Sequence, residues 1–300
     1  KELYVSDNVS NNSRFSNDPY IKGRQLKSVL CYPIMKQSDL IGILYFEHYD
    51  IAGAFTNDRL DMINMLAAQI AVSLENASLY HSFERFVPKR FLELLKKDRL
   101  TDVELGDYIQ RDITTMFCDI RGFTTLSESM TPKQVFDFIN EYLSKMEPLI
   151  KQHGGFIEKY IGDAIMALFP DEANDALHAA IDLQKALRAY NQERSEKTLP
   201  PVAAGVGINS GLTMLGTIGG ETRMDGSVIS DAVNSASRVE GLTKLYGCAI
   251  IITEETLDRL EDPSTFTLRK LDFVKVKGKS KSIAIYEVLD GLAAETLEQK

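Results

Sequence analysis

Apolar residues recur along the chain with two different periods, and the change of period divides it. Residues 1–27 are polar, rich in Asn, Ser and Asp, and predict loop. Residues 28–47 (SVLCYPIMKQSDLIGILYFE) carry two apolar runs. They predict two strands joined through Gln37-Ser38-Asp39, residue types that accept turn geometry. Thr56 is suited to cap a helix. After it Ile63, Leu66, Ala67, Ile70, Leu74 and Ala77 return every three or four residues, the spacing of a helix with one apolar face. The helix continues toward Leu79 and Phe83 and is interrupted at Pro88. It resumes with Phe91, Leu92, Leu94 and Leu95 and ends in Lys96-Lys97-Asp98. Such a segment between two domains suits a parallel dimeric coiled coil, or else a helix packed on one of its own domains.

From about Asp107 strands and helices alternate. Ile113–Cys118 predicts a strand and residues 132–153 a helix, on the spacing of Val135, Phe138, Ile139, Tyr142, Leu143 and Met146. Phe156–Phe169 predicts strand–turn–strand about Gly162-Asp163, residues 172–193 a second helix, and Val202–Ile208 a strand. The order β-α-β-β-α-β is that of the split, ferredoxin-like arrangement, so the fold class is α+β. Further elements follow: a strand near 212–218, a helix near 230–246, and strands at 248–252, 266–274 and 283–289.

Composition changes this picture little. The 300 residues suit about two domains, and 44% hydrophobic against 26% charged residues is ordinary for a globular chain. The formal charge of −9 argues against nucleic acid as a partner. Cys31, Cys118 and Cys248 are odd in number and far apart. They suggest neither disulfides nor a zinc site, and a reducing, cytoplasmic compartment is expected. No apolar run reaches the roughly 18 residues of a membrane span. The chain opens at Lys1 without a signal peptide and reads as a fragment, so an anchor upstream stays open.

The candidate chemistry lies at strand ends. In Phe117-Cys118-Asp119-Ile120-Arg121-Gly122-Phe123-Thr124 an apolar strand delivers a carboxylate at its tip, and a glycine turn follows whose N–H groups can cradle phosphate oxygens. In Lys159-Tyr160-Ile161-Gly162-Asp163-Ala164 a second carboxylate occupies a hairpin turn. Either aspartate alone reads as a turn residue or helix cap. On neighbouring inner strands the pair suits a two-metal phosphoryl site. Asn234 and Arg238 are four apart and share a helix face. An amide and a guanidinium there suit a ribose oxygen and a pentavalent phosphate, or simply form a polar face. Lys275-Val276-Lys277-Gly278-Lys279 is a basic turn, either a triphosphate attractor or a solvated hairpin.

Together FCDIRGFTTLSE, GGFIEKYIGDAIMALF, AVNSASR and VKGKS, in that order over residues 108–290, resemble the catalytic domain of class III adenylyl and guanylyl cyclases. Residues 1–78, with Ile41-Gly42-Ile43-Leu44 and the helix reached through Phe55-Thr56, resemble the C-terminal part of a GAF sensory domain that lacks its ligand-pocket half. Residues 79–107 resemble a helical transducing linker, and 291–300 form a tail. The resemblance implies that the 3′-hydroxyl of a nucleoside triphosphate attacks its own α-phosphate, giving a 3′,5′-cyclic monophosphate and pyrophosphate. It implies that Asp119, Asp163 and the Ile120 carbonyl bind two Mg²⁺ or Mn²⁺ ions. The backbone of Phe123 and Thr124, with Lys277 and Arg223, would meet the β- and γ-phosphates. Asn234 would orient the ribose, and Arg238 would stabilise the α-phosphate in the transition state.

Lys159 stands where ATP users carry lysine and GTP users typically glutamate. The pattern is physical: an ammonium donates to adenine N1, whereas guanine N1–H and the 2-amino group want an acceptor. Ser227 falls on the second base-reading position, usually Asp or Thr, and Ser230 stands where glycine is common. The expected activity is an adenylyl cyclase. Its partners are ATP, a second copy of the chain, and a small-molecule ligand or upstream sensor domain. One copy would give Asp119 and Asp163, the other Lys159, Ser227, Asn234 and Arg238. Alternatives are a guanylyl cyclase or a silent nucleotide-binding dimerisation module. The GG-[DE]-E-F turn of diguanylate cyclases is absent from the 162–163 hairpin, and Gly219-Gly220-Glu221 lies elsewhere.

Overall fold

The computed structural model describes residues 2–9, 18–83, 86–220, 222–275 and 282–292. It divides into two units, Lys1–Phe86 and Val87–Lys300.

In the first unit β1 (Tyr4–Ser6), α1 (Pro19–Arg24), β2 (Ser28–Lys36), β3 (Asp39–His48) and α2 (Asn57–Phe83) follow in order. The strands form a three-stranded antiparallel sheet in the order β1-β2-β3. Gln37 turns the β2–β3 hairpin at φ +51°. The loop expected over 1–27 is corrected by β1 and α1. Both are too short to show periodicity: β1 exists through pairing with β2, and α1 starts where Asp18 accepts from the N–H groups of Tyr20 and Ile21. Along α2, Ile63 and Ala67 are buried while Leu66 and Leu74 are exposed, so only the early part of the periodic face is covered within this unit.

The second unit opens with α3 (Lys89–Leu94). Then come β4 (Tyr108–Ile120), α4 (Phe123–Glu128), α5 (Pro132–Gln152), β5 (Phe156–Ile161), β6 (Ala164–Phe169) and α6 (Ala173–Glu196). β7 (Ala204–Gly220), β8 (Arg223–Ile229), α7 (Asp231–Tyr246), β9 (Ile250–Thr253), α8 (Glu254–Leu257), β10 (Leu268–Val274) and β11 (Ile283–Val288) complete it. The sheet order is β10-β11-β9-β7-β4-β6-β5, with β8 on β7. Its β7-β4-β6-β5 part, with α5 and α6, is the expected split arrangement. The two strands expected near 202–208 and 212–218 are one strand. β7 pairs with β4 without a break from Ala204 to Gly216, and Gly211 only dilutes the apolar pattern. β8 carries no clear apolar alternation and no fully buried residue, and is held by its pairing with β7.

The two faces of β4 go to different partners, as alternation along a strand dictates. Met116, Cys118 and Ile120 pack with Phe138, Tyr142 and Met146 of α5 and with Leu177 and Leu183 of α6. Ile113 and Phe117 face the other way, with Met166, Leu168, Leu215 and Ala236. Phe91, Leu94 and Leu95 join that second cluster, so the middle of the expected linker is packed into the core of this unit. Over the same face α7 approaches β7 very closely. A Cβ on Gly207 would lie 2.1 Å from the Glu240 backbone nitrogen, so only glycine admits the helix there. Among the described residues no helix is long and apolar enough to cross a membrane.

Candidate active site

β4 is buried from Ile113 to Cys118, then ends on half-buried Asp119 and buried Ile120. Gly122 takes φ +67°, a left-handed turn that L side chains resist, and α4 begins at Phe123 and Thr124. The first turn of a helix leaves N–H groups without helical acceptors, and those of Phe123 and Thr124 occupy that position. Asp163 sits in the β5–β6 turn beside Gly162 at φ +64°. The β4–β6 register places Cys118 opposite Ile165, which brings Asp119 beside Asp163.

The two carboxylates strain against each other. Asp163 Oδ2 is buried and has no hydrogen-bond partner. Asp119 is pushed up to about 6, first by burial and then by the charge of Asp163, against the pull of the Ile120 N–H. Arg121, next in the chain, does not relieve them. Its guanidinium donates to Thr243 O (3.2 Å) and to Cys248 O, tying the turn to the end of α7. Two adjoining carboxylates with an unmet buried oxygen fit a divalent cation. Among the described residues no three metal-ligating side chains converge. Mg²⁺ is commonly held by one or two carboxylates together with water and substrate phosphates, which the Asp119–Asp163 pair can provide.

A third carboxylate is near. Glu240 of α7 is pushed up to about 7, by burial first and next by the charge of Asp119, with Arg121 opposing. It went unnoticed in the sequence because nothing local links a helix residue to a strand end 121 positions earlier. Its position follows from the tight seat of α7 on Gly205 and Gly207.

These shifts predict a pH dependence. In the unfolded chain Asp119 and Glu240 release protons near their ordinary values of 3.8 and 4.5. Folded, they hold them to about 6 and about 7. Between those limits the folded chain binds more protons, so these groups make stability fall as pH rises. Melting curves in chelator from pH 4.5 to 7.5 should show a shallower decline for Glu240→Gln than for the parent. Parallel declines would remove Glu240 from the site.

The remaining expected residues lie on three other elements. Asn234 and Arg238 are on the exposed face of α7, while Ala232, Ser235, Ala236, Val239 and Thr243 face inward. Ser230 has extended backbone and caps α7. Its Oγ accepts from the Ala232 N–H (2.9 Å) and donates to Leu212 O (2.8 Å), so serine is as suitable there as glycine. Ser227 is half-buried on β8 opposite Gly216, and Arg223 is exposed opposite Gly220. Lys159 lies on β5 with its ammonium 3.1 Å from Glu158 Oε1. Lys277 lies outside the described residues. The structure thus joins Asp119, Ile120 and Asp163 with the start of α4, and holds Asn234 and Arg238 on a separate helix face.

A family model for the adenylate and guanylate cyclase catalytic domain matches residues 108–289, and a GAF domain model matches 1–74. An adenylate cyclase of Anabaena cylindrica is 48% identical over 75% of this chain and 46% of its own, so the chain spans less than half of that relative. The crystal structure of the adenylyl cyclase CyaB from P. aeruginosa is 31% identical with a TM-score of 0.54, over 61% of this chain and 95% of that one. The guanylyl cyclase Cya2 is 34% identical with a TM-score of 0.52, over 60% and 92%. Domains of this family use divalent metal ions. With the β4 and β5–β6 carboxylates in one sheet register and the family match spanning both and α7, the chain belongs to the adenylate and guanylate cyclase catalytic-domain family, with a GAF-type segment ahead of that domain.

Proposed function

We propose that the chain is an adenylyl cyclase that converts ATP to 3′,5′-cyclic AMP and pyrophosphate at sites shared between two copies. The observation that carries this is the paired carboxylates of Asp119 and Asp163, one with a buried oxygen lacking any partner, at the tips of adjacent strands. Asp119 and Asp163, with the Ile120 carbonyl, would hold two Mg²⁺ or Mn²⁺ ions. Cations held there would lower the pKa of the ribose 3′-hydroxyl and neutralise charge on the phosphates. The α4 N–H groups of Phe123 and Thr124 meet the β- and γ-phosphates, with Arg223 and Lys277 as further cations. Asn234 orients the ribose, and Arg238 donates to the α-phosphate oxygens as negative charge builds on them. Lys159 donates to adenine N1, and the Ser227 hydroxyl accepts from the 6-amino group. The Anabaena relative's name supports the choice of ATP.

Residues 1–78 act as the sensory part, 79–107 as transducer, 108–290 as catalytic domain and 291–300 as tail. The first unit holds a cavity of about 340 Å³ whose lining includes Tyr4, Asp18, Tyr20, Val29, Cys31 and Tyr45, which suits a small, largely apolar ligand with one polar group. The cytoplasm is the compartment that suits its three free cysteines.

Incubating the chain with Mn²⁺ and either ATP or GTP, and measuring cyclic nucleotide with pyrophosphate, tests the assignment. Cyclic AMP should dominate. Mainly cyclic GMP would overturn the base assignment, and no product from either would overturn the cyclase.

A further inference from the structure

Lys159 does not stand alone on β5. The strand carries a β-bulge: Ile157 pairs with Ala167 and Lys159 with Met166, which leaves Glu158 as the inserted residue. Without an insertion Glu158 and Lys159 would project to opposite faces of the sheet. With it, the carboxylate and the ammonium meet, Glu158 Oε1 lying 3.1 Å from Lys159 Nζ. The two partners are unequally wet. The Glu158 side chain is 3% exposed and that of Lys159 is 39% exposed. The second oxygen, Glu158 Oε2, is buried without a hydrogen-bond partner. Burial therefore holds the Glu158 carboxyl above its ordinary range, and Lys159 only partly opposes this. Asp225, two residues before Ser227 on β8, adds its negative charge and places β8 within electrostatic reach of the bulge.

A buried carboxylate with one oxygen unmet is unfavourable for folding. What it does achieve is geometric. A lysine ammonium has three donors on a flexible stem. Glu158 takes one donor and restrains the stem, while the other donors belong to a side chain that stays partly exposed. We propose that Glu158 is a positioning residue for base selection: it holds the Lys159 ammonium in register with a purine ring acceptor and so sets the preference between adenine and guanine nucleotides. This rests on the reading of Lys159 as the base-contacting residue.

Two properties separate this role from a structural one. Glu158→Gln removes a poorly satisfied buried charge while Lys159 stays hydrated, so the melting temperature should stay level or rise. The same change frees the ammonium, so KM for ATP should rise about tenfold with kcat within about twofold. The ratio of kcat/KM for ATP over GTP should fall by about tenfold. A double-mutant cycle isolates the path. In a Lys159→Met background, Glu158→Gln should leave the ratio unchanged, because nothing remains for it to position. An unaltered ratio in the parent background, or an equal loss in both backgrounds, would overturn the proposal. The measurements are made on the full chain with Mn²⁺, as turnover and as competition of ATP and GTP against a fluorescent nucleotide. Absence of turnover would then sink the cyclase assignment, while the competition still decides the role of Glu158.

Discussion

Asp119→Ala and Arg238→Ala chains, each nearly inactive alone, should regain about a quarter of the parent activity when mixed in equal amounts. Each change alone removes a group acting on developing phosphate charge, and losses of about two to three orders of magnitude are typical for such groups. The recovery follows from symmetry. Asp119 lies at the tip of β4 and Arg238 on the exposed face of α7. If one copy supplies the metal carboxylates and the other the α7 side chains, a mixed dimer carries one site with both defects and one site with neither. Random assortment makes about half of the dimers mixed, each with one working site of two. Sites complete within one chain would give no recovery, and the shared-site assignment would then be falsified. The assay is cyclic AMP formation across mixing ratios, with dimerisation followed by sedimentation.

The second large effect concerns the base. Lys159→Glu should move the ratio of kcat/KM for ATP over GTP by about a hundredfold or more toward GTP. The ammonium donates to adenine N1, and a carboxylate in its place faces that acceptor with another acceptor. A buried polar group left without its partner costs about 1–3 kcal/mol, and the same carboxylate gains donors from guanine N1–H and the 2-amino group. Total GTP turnover should nevertheless stay low. The substitution sets a second carboxylate beside buried Glu158, whose only ion-pair partner among the described residues is Lys159 itself. Combining Lys159→Glu with Glu158→Gln should raise GTP turnover over the single change. Cyclic GMP and cyclic AMP are measured in parallel; an unchanged ratio would remove Lys159 from base recognition.

Much of the site was legible because it is written in short local patterns. The apolar run ending in Asp119, the glycine turn after it and the Ile161-Gly162-Asp163 hairpin each need only a few neighbouring residues to be recognised. α5 and α6 announced themselves through the spacing of Phe138, Tyr142 and Met146, and of Leu183, Leu187 and Tyr190. β8 shows no strand signal in the sequence because its first five residues, Arg223 to Ser227, have no apolar alternation, and it exists through its pairing with β7. β1 and α1 were missed because three and six residues carry no period. β7 was divided in two because Gly211 breaks the apolar pattern, although its pairing with Ile113 does not break.

The sequence by itself determined which side chains stand at strand tips and helix faces, since strand alternation, helix period and glycine turns act over a few residues. The tertiary structure alone decided which of them share a space. The β4–β6 register set Asp119 against Asp163, and the close seat of α7 on Gly205 and Gly207 carried Glu240 toward them. The bulge turned Glu158 onto Lys159. The reason is that a carboxylate's state depends on burial and on every charge within several ångströms. Those neighbours come from residues far apart in the chain, brought together by pairing and packing that no local pattern encodes.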